Sequence, residues 1–225
     1  MDLSIILPIF NEEEVIEESI LNILKKAEKI TKNLEVLAVN DGSIDSTNTI
    51  LNRLAKKDKR IRVITHSPNK GYGAVLKTGI KEAKYDWLFF TDADMQFDIS
   101  ELVGFFPFTK DYDYVIGKRL KRADAPRRVF ISGVYNRILR FIFQLPIRDV
   151  DCAFKLMRRK TVESIPFKSD SFFVSAELMI RSIKKGVKIK ELGVHHYPRI
   201  KGESTVTIKQ ILKTINDLRK LYFEI

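Results

Sequence analysis

The chain has 225 residues, of which 44% are hydrophobic, and this length suits one large α/β domain or a domain with a short appendage. No unbroken apolar run reaches the roughly 18 residues that a membrane span needs, and the first residues lack the basic start of a signal peptide, so we expect a soluble or peripheral protein of the cytosol. The net charge of +11, from 40 Lys and Arg against 29 Asp and Glu, favours an anionic partner. No zinc finger, RNA-binding signature or recognition-helix pattern supports nucleic acid, and the lone Cys152 excludes an internal disulfide.

The first half of the chain alternates between predicted strands and predicted helices. Short β-rich runs predict strands at residues 3–8, 35–39, 61–65 and 87–90. The segments between them carry apolar residues at helical spacing, as Ile16, Ile20 and Ile23 do in the first. Such units predict an α/β fold with an open, mostly parallel sheet, right-handed crossovers and flanking helices. Later runs predict strands at 112–116 and 187–192 and helices at 129–143 and 172–183.

Carboxylates follow the fourth predicted strand. Asp92, Asp94 and Gln96 come directly after the apolar run that ends at Phe90, so we expect them at the C-terminal end of a buried strand, where open α/β sheets bind ligands. Alternate residues share a side there. Two carboxylates and an amide oxygen suit a divalent cation that also binds water and phosphate. The simpler interpretation is a solvated turn.

The turns after the first three strands supply further candidates. Pro8, Phe10 and Glu12 occupy the first turn, and Asp41 after the second strand can accept hydrogen bonds from a ribose or a base. The glycines of Gly71-Tyr72-Gly73 precede a helix, where they allow either the close approach of an anion or a tight turn. This motif lacks the third glycine of the dinucleotide fingerprint.

A basic loop follows the predicted strand at 112–116. Arg119 and Arg128 are the candidates for phosphate binding, because a planar guanidinium group binds two oxygens at once. The helix at 129–143 has large apolar residues on more than one face, which fits a membrane surface or ordinary core packing equally. The amphipathic segment from Ile208 to Leu221 can dock on the core, pair with another chain or lie on lipid.

Four sequence motifs follow one another within the first hundred residues. They are LPIFNE at 7–12, VNDGSIDST at 39–47, NKGYG at 69–73 and TDADMQFD at 91–98. In this order and spacing they resemble family 2 inverting glycosyltransferases of the GT-A fold, and among these the polyprenyl-phosphate (dolichol-phosphate) mannosyl- and glucosyltransferases. The resemblance implies a GT-A, Rossmann-like domain at 1–205 and a C-terminal amphipathic helix at 206–225.

The resemblance also implies a donor, a metal and an acceptor. The donor would be a GDP- or UDP-hexose, and the residues implied for its binding are Pro8, Phe10, Glu12, Val39, Asp41, Asp92 and Ala93. A Mg²⁺ or Mn²⁺ cofactor is implied on Asp92, Asp94 and Gln96. The implied catalytic residues are Asp92, Asp94 and Arg119. The residues implied for acceptor and phosphate binding are Arg119 and Arg128, which would engage the acceptor phosphate, and Arg199 and Ser204, whose segment would close over the donor phosphates.

The sequence departs from the family pattern in three places. Phe10 replaces the usual Tyr but keeps its stacking surface, and Thr205 replaces a common Lys, which removes one phosphate-binding charge. The segment DVDCAF at 149–154 stands where Asp-x-x-Ser-Gly-Phe is typical. From that segment only Asp149 corresponds to the family pattern.

The nature of the acceptor decides whether the reaction needs a base. A polyprenyl phosphate, dolichyl or undecaprenyl, is anionic at neutral pH and can attack C1 once arginines position it. A hydroxyl acceptor needs a carboxylate base, for which Asp149 and Asp151 are candidates. The arginines, the charge of +11 and the apolar helix favour the lipid phosphate and a protein peripheral at the cytoplasmic membrane face. The alternatives are transfer to a glycan or other hydroxyl, and a non-catalytic module that binds nucleotide or anionic lipid; a homodimer or a membrane partner protein stays open.

Overall fold

A computed structural model describes residues 1–199 and 208–225, with the backbone alone described for 208–213. The strands are β1 (Asp2–Ile9), β2 (Asn33–Asn40), β3 (Ile61–Thr65), β4 (Trp87–Phe90), β5 (Tyr114–Arg119), β6 (Lys155–Arg158) and β7 (Ile189–Val194). The helices are α1 (Ile16–Ala27), α2 (Thr47–Lys57), α3 (Tyr72–Glu82), α4 (Pro126–Phe143), α5 (Arg159–Glu163), α6 (Val174–Lys184) and α7 (Ile208–Glu224). A 3-10 helix at Ile99–Lys110 was not predicted; it contains Pro107, which disfavours an α-helix there.

All these strands join one sheet in the order β3-β2-β1-β4-β6-β5-β7. Neighbouring strands are parallel except at β6, which runs antiparallel to both β4 and β5. The predicted open, mostly parallel sheet is therefore confirmed. Because β6 is reversed, its first residue, Lys155, pairs with Phe90 at the carboxyl end of β4. The loop before Lys155 thus lies at the same edge as the loops after β1, β2 and β4.

Apolar side chains cover both faces of the sheet. Along β1, Leu3, Ile5 and Leu7 join the core on one face, and Ile6 joins the core on the other. The first face is covered by α1, α2 and the 3-10 helix, and the second by α3, α4 and α6. Strands that are buried on both faces need continuous apolar runs rather than alternating ones. This requirement explains why the central strands are visible as short apolar runs in the sequence.

The helix α4 is only partly buried. It begins with Pro126, which tolerates the first helical position because the amide there has no helical partner. The residue that follows its last turn, Gln144, adopts the left-handed conformation and caps the helix. Its buried residues are Asn136, Leu139 and Phe143. Core packing therefore accounts for one face of α4 and leaves most of its other apolar residues exposed.

The helix α7 docks on the protein's own core. Leu221 is buried in the core cluster that also contains α6. The hydroxyl of Ser171 donates a hydrogen bond to Asp217 (2.9 Å), and Arg181 pairs with Glu224 (2.9 Å). The division of the chain at residue 205 stays a prediction. None of the helices in the described ranges is long and apolar enough to cross a membrane.

Candidate functional site

The loops after β1 and β2 form one wall at the carboxyl edge of the sheet. Pro8 lies beside Val39 in the register of the two strands. Beyond them, the backbone N–H of Glu12 donates a hydrogen bond to Oγ1 of Thr47 (2.9 Å), which joins the two loops. The ring of Phe10 is 38% exposed on this wall. The structure therefore brings the predicted donor-binding residues of both loops together, and their contact with a donor stays a prediction.

Asp41, at the end of β2, is buried and engaged with the next loop. One carboxylate oxygen forms hydrogen bonds with Nδ1 of His66 (2.8 Å) and the backbone N–H of Lys70 (2.9 Å). The other accepts a hydrogen bond from the backbone N–H of Gly71 (2.8 Å). The carboxylate thus anchors the turn that precedes α3. Its predicted contact with a ribose or base stays a prediction.

The glycines at the start of α3 make room for protein backbone. Gly71 has a φ of 94°, in the region that favours glycine. A Cβ on Gly71 would lie 2.3 Å from the carbonyl oxygen of Asp170, and one on Gly73 would lie 2.1 Å from that of Ser169. The N–H of Gly73 donates a hydrogen bond to the Asp170 carbonyl (3.0 Å). The structure therefore supports the tight-turn interpretation of these glycines, because the position expected for an anion is filled by the chain itself.

Asp92 and Asp94 follow β4 into the centre of the site. Asp94 is buried and accepts a hydrogen bond from Nη2 of Arg199 (3.2 Å), and the same nitrogen lies 3.6 Å from Oε1 of Glu12. Within the described residues, Asp92 has one hydrogen-bond partner, the hydroxyl of Tyr72, at 3.5 Å. The pKa of Asp92 is raised to about 7, mainly by burial and secondly by the negative charge of Asp94. A cation at this point would relieve the repulsion between the two carboxylates.

Gln96 supplies an oxygen in the same loop. Its amide nitrogen donates to the carbonyl of Tyr197 (3.0 Å), so its side-chain oxygen keeps its lone pairs for another partner. No group of three or more His, Cys, Asp or Glu side chains in the described part of the chain could hold a metal unaided. Two carboxylates and an amide oxygen instead leave coordination positions for phosphate and water, as Mg²⁺ and Mn²⁺ require when they bind nucleotides. Asp92, Asp94 and Gln96 therefore fit a divalent cation shared with a diphosphate.

Arg119 and Asp149 form a buried ion pair. Nε and Nη2 of Arg119 donate hydrogen bonds to the two carboxylate oxygens at 2.7 and 2.6 Å, and the backbone N–H of Arg119 adds a third at 3.1 Å. Burial alone would raise the pKa of Asp149, but these hydrogen bonds outweigh it and the pKa is lowered. A general base needs a pKa near the working pH, so this arrangement disfavours Asp149 in that role.

Asp151 is better suited to act as a base. Its carboxylate has no hydrogen-bond partner among the described residues, and burial raises its pKa to about 6. Lys155 is buried nearby, donates a hydrogen bond to the carbonyl of Cys152, and opposes burial by favouring the ionised forms of Asp151 and Asp92. Sequence reasoning missed Lys155. A lysine inside the apolar run at 153–157 is the signal that could have found it.

The other predicted phosphate-binding residues lie apart from one another. Arg128 is half exposed and pairs with Asp124 (3.1 Å), which also binds Arg122 (2.7 Å). Arg199 lies among the carboxylates of the donor side. Ser204 lies outside the described residues, so its predicted phosphate contact stays a prediction.

The carboxylate pair after a central strand, the loops after β1 and β2 and a buried arginine all lie at one edge of an open α/β sheet. Such an arrangement is typical of a GT-A glycosyltransferase. The chain belongs to glycosyl transferase family 2, which it matches over residues 4–165. The family predicted from the four motifs is therefore confirmed, and with it the class of enzyme.

Relatives and solved structures agree with this assignment. The glycosyltransferase AglD of Haloferax volcanii is 28% identical over 95% of this chain, which spans 37% of that protein. A dolichyl-phosphate beta-glucosyltransferase of Trichomonas vaginalis is 28% identical over 97% of this chain and 72% of that protein. A solved structure with a similar fold is glucosyl-3-phosphoglycerate synthase of Mycobacterium tuberculosis in complex with Mn²⁺, uridine diphosphate and glucosyl-3-phosphoglycerate. Its TM-score against this chain is 0.73 at 16% sequence identity, and the match covers 99% of this chain and 79% of that one. The structural likeness confirms the predicted fold.

Proposed function

We propose that the protein transfers a hexose from a nucleotide-diphosphate sugar to a polyprenyl phosphate, with inversion at C1 and with a divalent metal cofactor. One observation carries this proposal: the carboxylates Asp92 and Asp94 share an edge of the sheet with Arg119, whose charge is near enough to favour the ionised form of Asp92 against burial. A donor diphosphate and an acceptor phosphate can therefore be bound side by side. The Trichomonas vaginalis relative is named for transfer to dolichyl phosphate, which supports this class of acceptor.

The donor would lie between the loops after β1, β2 and β4. We assign the base and ribose to the wall formed by Pro8, Phe10, Glu12, Val39 and Asp41, and a Mg²⁺ or Mn²⁺ ion to Asp92, Asp94 and Gln96. When bound, the metal neutralises charge on the leaving diphosphate. Arg199, which Asp94 and Glu12 hold in place, adds a fixed positive charge on the same side.

The acceptor phosphate needs no base. One of its oxygens already carries negative charge at neutral pH and forms the new bond to C1 while the bond from C1 to the diphosphate breaks on the opposite face. Asp149 holds Arg119 rigid through Nε and Nη2, which leaves Nη1 to orient the acceptor oxygen. Arg128 adds a second positive charge. A lipid acceptor would bring the reaction to a membrane surface, and we propose that the protein is peripheral there, at the cytoplasmic face.

A second candidate function is transfer to a hydroxyl group, and Asp151 is the observation that favours it. A carboxylate without a hydrogen-bond partner in the described residues and with a pKa of about 6 can remove a proton from a hydroxyl at neutral pH. Replacing Asp151 by Asn distinguishes the two candidates. Transfer to a lipid phosphate should be nearly unchanged in this variant, whereas transfer to a hydroxyl should fall about a hundredfold or more.

A panel of GDP- and UDP-hexoses with Mg²⁺ or Mn²⁺ tests the proposal itself. We expect a hexosyl polyprenyl phosphate of inverted anomeric configuration from a short-chain polyprenyl phosphate, and no product after chelation of the metal. Product on hydroxyl acceptors alone would replace this proposal with the second candidate. Metal-dependent nucleotide binding without sugar release from any donor would contradict both and support a non-catalytic binding module.

A further inference from the structure

The loop at residues 168–172, called the supporting loop below, is packed against the start of α3. It connects α5 to α6. The carbonyl oxygen of Asp170 accepts a hydrogen bond from the backbone N–H of Gly73 (3.0 Å). The ring of Phe172 stacks on the ring of Tyr72, with ring centroids 5.3 Å apart. The supporting loop therefore holds the first turn of α3 through both its backbone and a side chain.

The start of α3 in turn holds the donor side of the site. The backbone N–H groups of Lys70 and Gly71 donate hydrogen bonds to the two carboxylate oxygens of Asp41. The hydroxyl of Tyr72 lies 3.5 Å from a carboxylate oxygen of Asp92. A displacement of the supporting loop would therefore disturb the groups that hold both carboxylates.

A buried carboxylate fixes the supporting loop. Glu177, in the first turn of α6, is 3% exposed. Its Oε2 accepts hydrogen bonds from the backbone N–H groups of Lys168 (3.0 Å) and Ser169 (2.7 Å). Its Oε1 accepts one from Nε of Arg181 (2.8 Å). Hydrogen bonds to a charged acceptor are roughly twice as strong as those between neutral groups, so Glu177 restrains the loop backbone firmly.

The planar peptide bond transmits this restraint to α3. In a trans peptide the N–H and the C=O point in opposite directions. Because the N–H of Ser169 points at Glu177, the carbonyl of Lys168 in the same peptide points away from it, and Nζ of Lys77 on α3 donates a hydrogen bond to that oxygen (2.6 Å). The same Nζ binds the carboxylate of Asp170 (2.8 Å). The orientation that Glu177 sets on one side of the loop is thus the one that binds α3 on the other.

We propose that Glu177 is a positioning residue for the donor site, which acts by holding the supporting loop and, through it, Asp41 and Tyr72 in the orientation that binds the nucleotide. This inference rests on the proposed function, because the site that Glu177 supports is the proposed donor site. Binding groups keep their geometry when a surrounding layer of hydrogen bonds holds them. Loss of one such support typically weakens binding at metal sites by about tenfold to a hundredfold.

The helix α7 contacts the supporting loop in a different way. Nζ of Lys168 pairs with Glu224 (2.6 Å), and the hydroxyl of Ser171 donates a hydrogen bond to Asp217 (2.9 Å). Both contacts join side chains, and the side chains of Lys168 and Glu224 are 70% and 40% exposed. Exposed ion pairs contribute little. We therefore expect the backbone of the loop to depend on Glu177 rather than on α7.

Calorimetric titrations with UDP and with GDP, each with Mn²⁺, test the proposal. Glu177→Gln keeps the volume of the side chain but removes the charge that two backbone N–H groups face. The Kd of the nucleotide that the wild type binds should rise about tenfold. In the transfer reaction the KM for the donor should rise while kcat stays near the wild-type value, because the lost interaction serves binding. Without ligand, the amides of residues 69–74 should exchange hydrogen faster.

Glu224→Gln is the matched control. It removes a carboxylate that shares Arg181 with Glu177 but contacts the supporting loop, within the described residues, through the side chain of Lys168. This variant should leave both the nucleotide affinity and the hydrogen exchange of residues 69–74 unchanged. Circular dichroism confirms that each variant is folded.

Gly73→Ala tests the same loop without removing a buried charge, so the result does not depend on the folding of Glu177→Gln. Its Cβ would lie 2.1 Å from the carbonyl oxygen of Ser169 and would displace the loop from α3. The Kd should rise here as well. The double variant should lose less affinity than the product of the two single changes, because both act through one loop.

A lower thermal midpoint in Glu177→Gln with unchanged nucleotide affinity would show that Glu177 only stabilises the fold, and would overturn the proposal. Unchanged affinity in Gly73→Ala, or an equal loss of affinity in Glu224→Gln, would also overturn it. The titrations contain no acceptor, so these results leave the proposed reaction standing. A wild-type protein that binds neither nucleotide would contradict the proposed donor and this inference together.

Discussion

Replacing Asp149 by Asn should strongly destabilise the protein while changing a single atom of one side chain. The substitution removes the negative charge opposite Arg119 and one of the two carboxylate oxygens that accept its hydrogen bonds. Both side chains are nearly buried, with 10% of Arg119 and 11% of Asp149 exposed. The variant would therefore leave a buried guanidinium group without a counter-ion.

The size of the effect follows from this burial. Breaking a buried ion pair by removing one partner costs about 3–5 kcal/mol. The amide oxygen of Asn still accepts one hydrogen bond, so we expect the lower end, about 3 kcal/mol. In a chain of 225 residues, 1 kcal/mol shifts the midpoint of thermal unfolding by about 2–4 °C, which gives a decrease of about 6–12 °C.

Urea unfolding of Asp149→Asn, Arg119→Gln and the double variant measures this interaction. The double variant should lose less stability than the sum of the single variants, because each single substitution already breaks the pair. The control is Glu17→Gln, which breaks the exposed pair with Arg53 and should cost less than about 1 kcal/mol. An Asp149→Asn variant as stable as Glu17→Gln, or strictly additive losses, would refute the reasoning.

The same pair predicts a dependence on pH. The native pKa of Asp149 is lowered, because the hydrogen bonds and charge of Arg119 outweigh the opposing effect of burial. Its stabilisation is therefore complete above the unfolded pKa of about 4 and is lost as the pH falls through the native value. The stability difference between wild type and Asp149→Asn should shrink in acid; a difference that grew in acid would contradict this assignment of charge.

Three further predictions concern the metal, a glycine and the last helix. Because the pKa of Asp92 is raised to about 7 by burial and a neighbouring carboxylate, the affinity for Mn²⁺ measured by calorimetry should rise with pH up to about 7, and Asp92→Asn should remove this rise. Gly73→Ala should lower the thermal midpoint because its Cβ would overlap the Ser169 carbonyl, whereas Gly133→Ala, with open space around it, should add up to about 1 kcal/mol of stability. Leu221→Ala should cost about 2–5 kcal/mol in urea unfolding if α7 is docked, and an unchanged midpoint would contradict docking.

The sequence predicted what local patterns encode. The strands β1, β2, β3 and β4 appear as short apolar runs, and because Asp92 and Asp94 directly follow β4, both carboxylates lie at the sheet edge. The order of four motifs then identified the family. These features depend only on residues that are neighbours along the chain, and all of them were accessible without coordinates.

What the sequence did not predict depends on distant pairs. No local pattern shows that β6 runs antiparallel, and this reversal brings Lys155 and the loop with Asp149 and Asp151 to the edge that carries Asp92. Arg119 and Asp149 are 30 residues apart, so their pairing was invisible and both were treated as free groups. The segment that fills the space beside Gly71 and Gly73 comes from about a hundred residues further along the chain. Such contacts are set by packing rather than by residue type.

The most direct test of the central claim is the rate of hexose transfer by Asp94→Asn, measured from a labelled nucleotide sugar to a short-chain polyprenyl phosphate with Mn²⁺. Asp86→Asn, an equal change at an exposed aspartate before β4, is the matched control. We predict that Asp94→Asn loses at least about a hundredfold in rate while its circular dichroism matches the wild type, because a metal and diphosphate site loses a carboxylate. Asp86→Asn should retain wild-type transfer. A wild-type rate in the Asp94→Asn variant would contradict the account of this site.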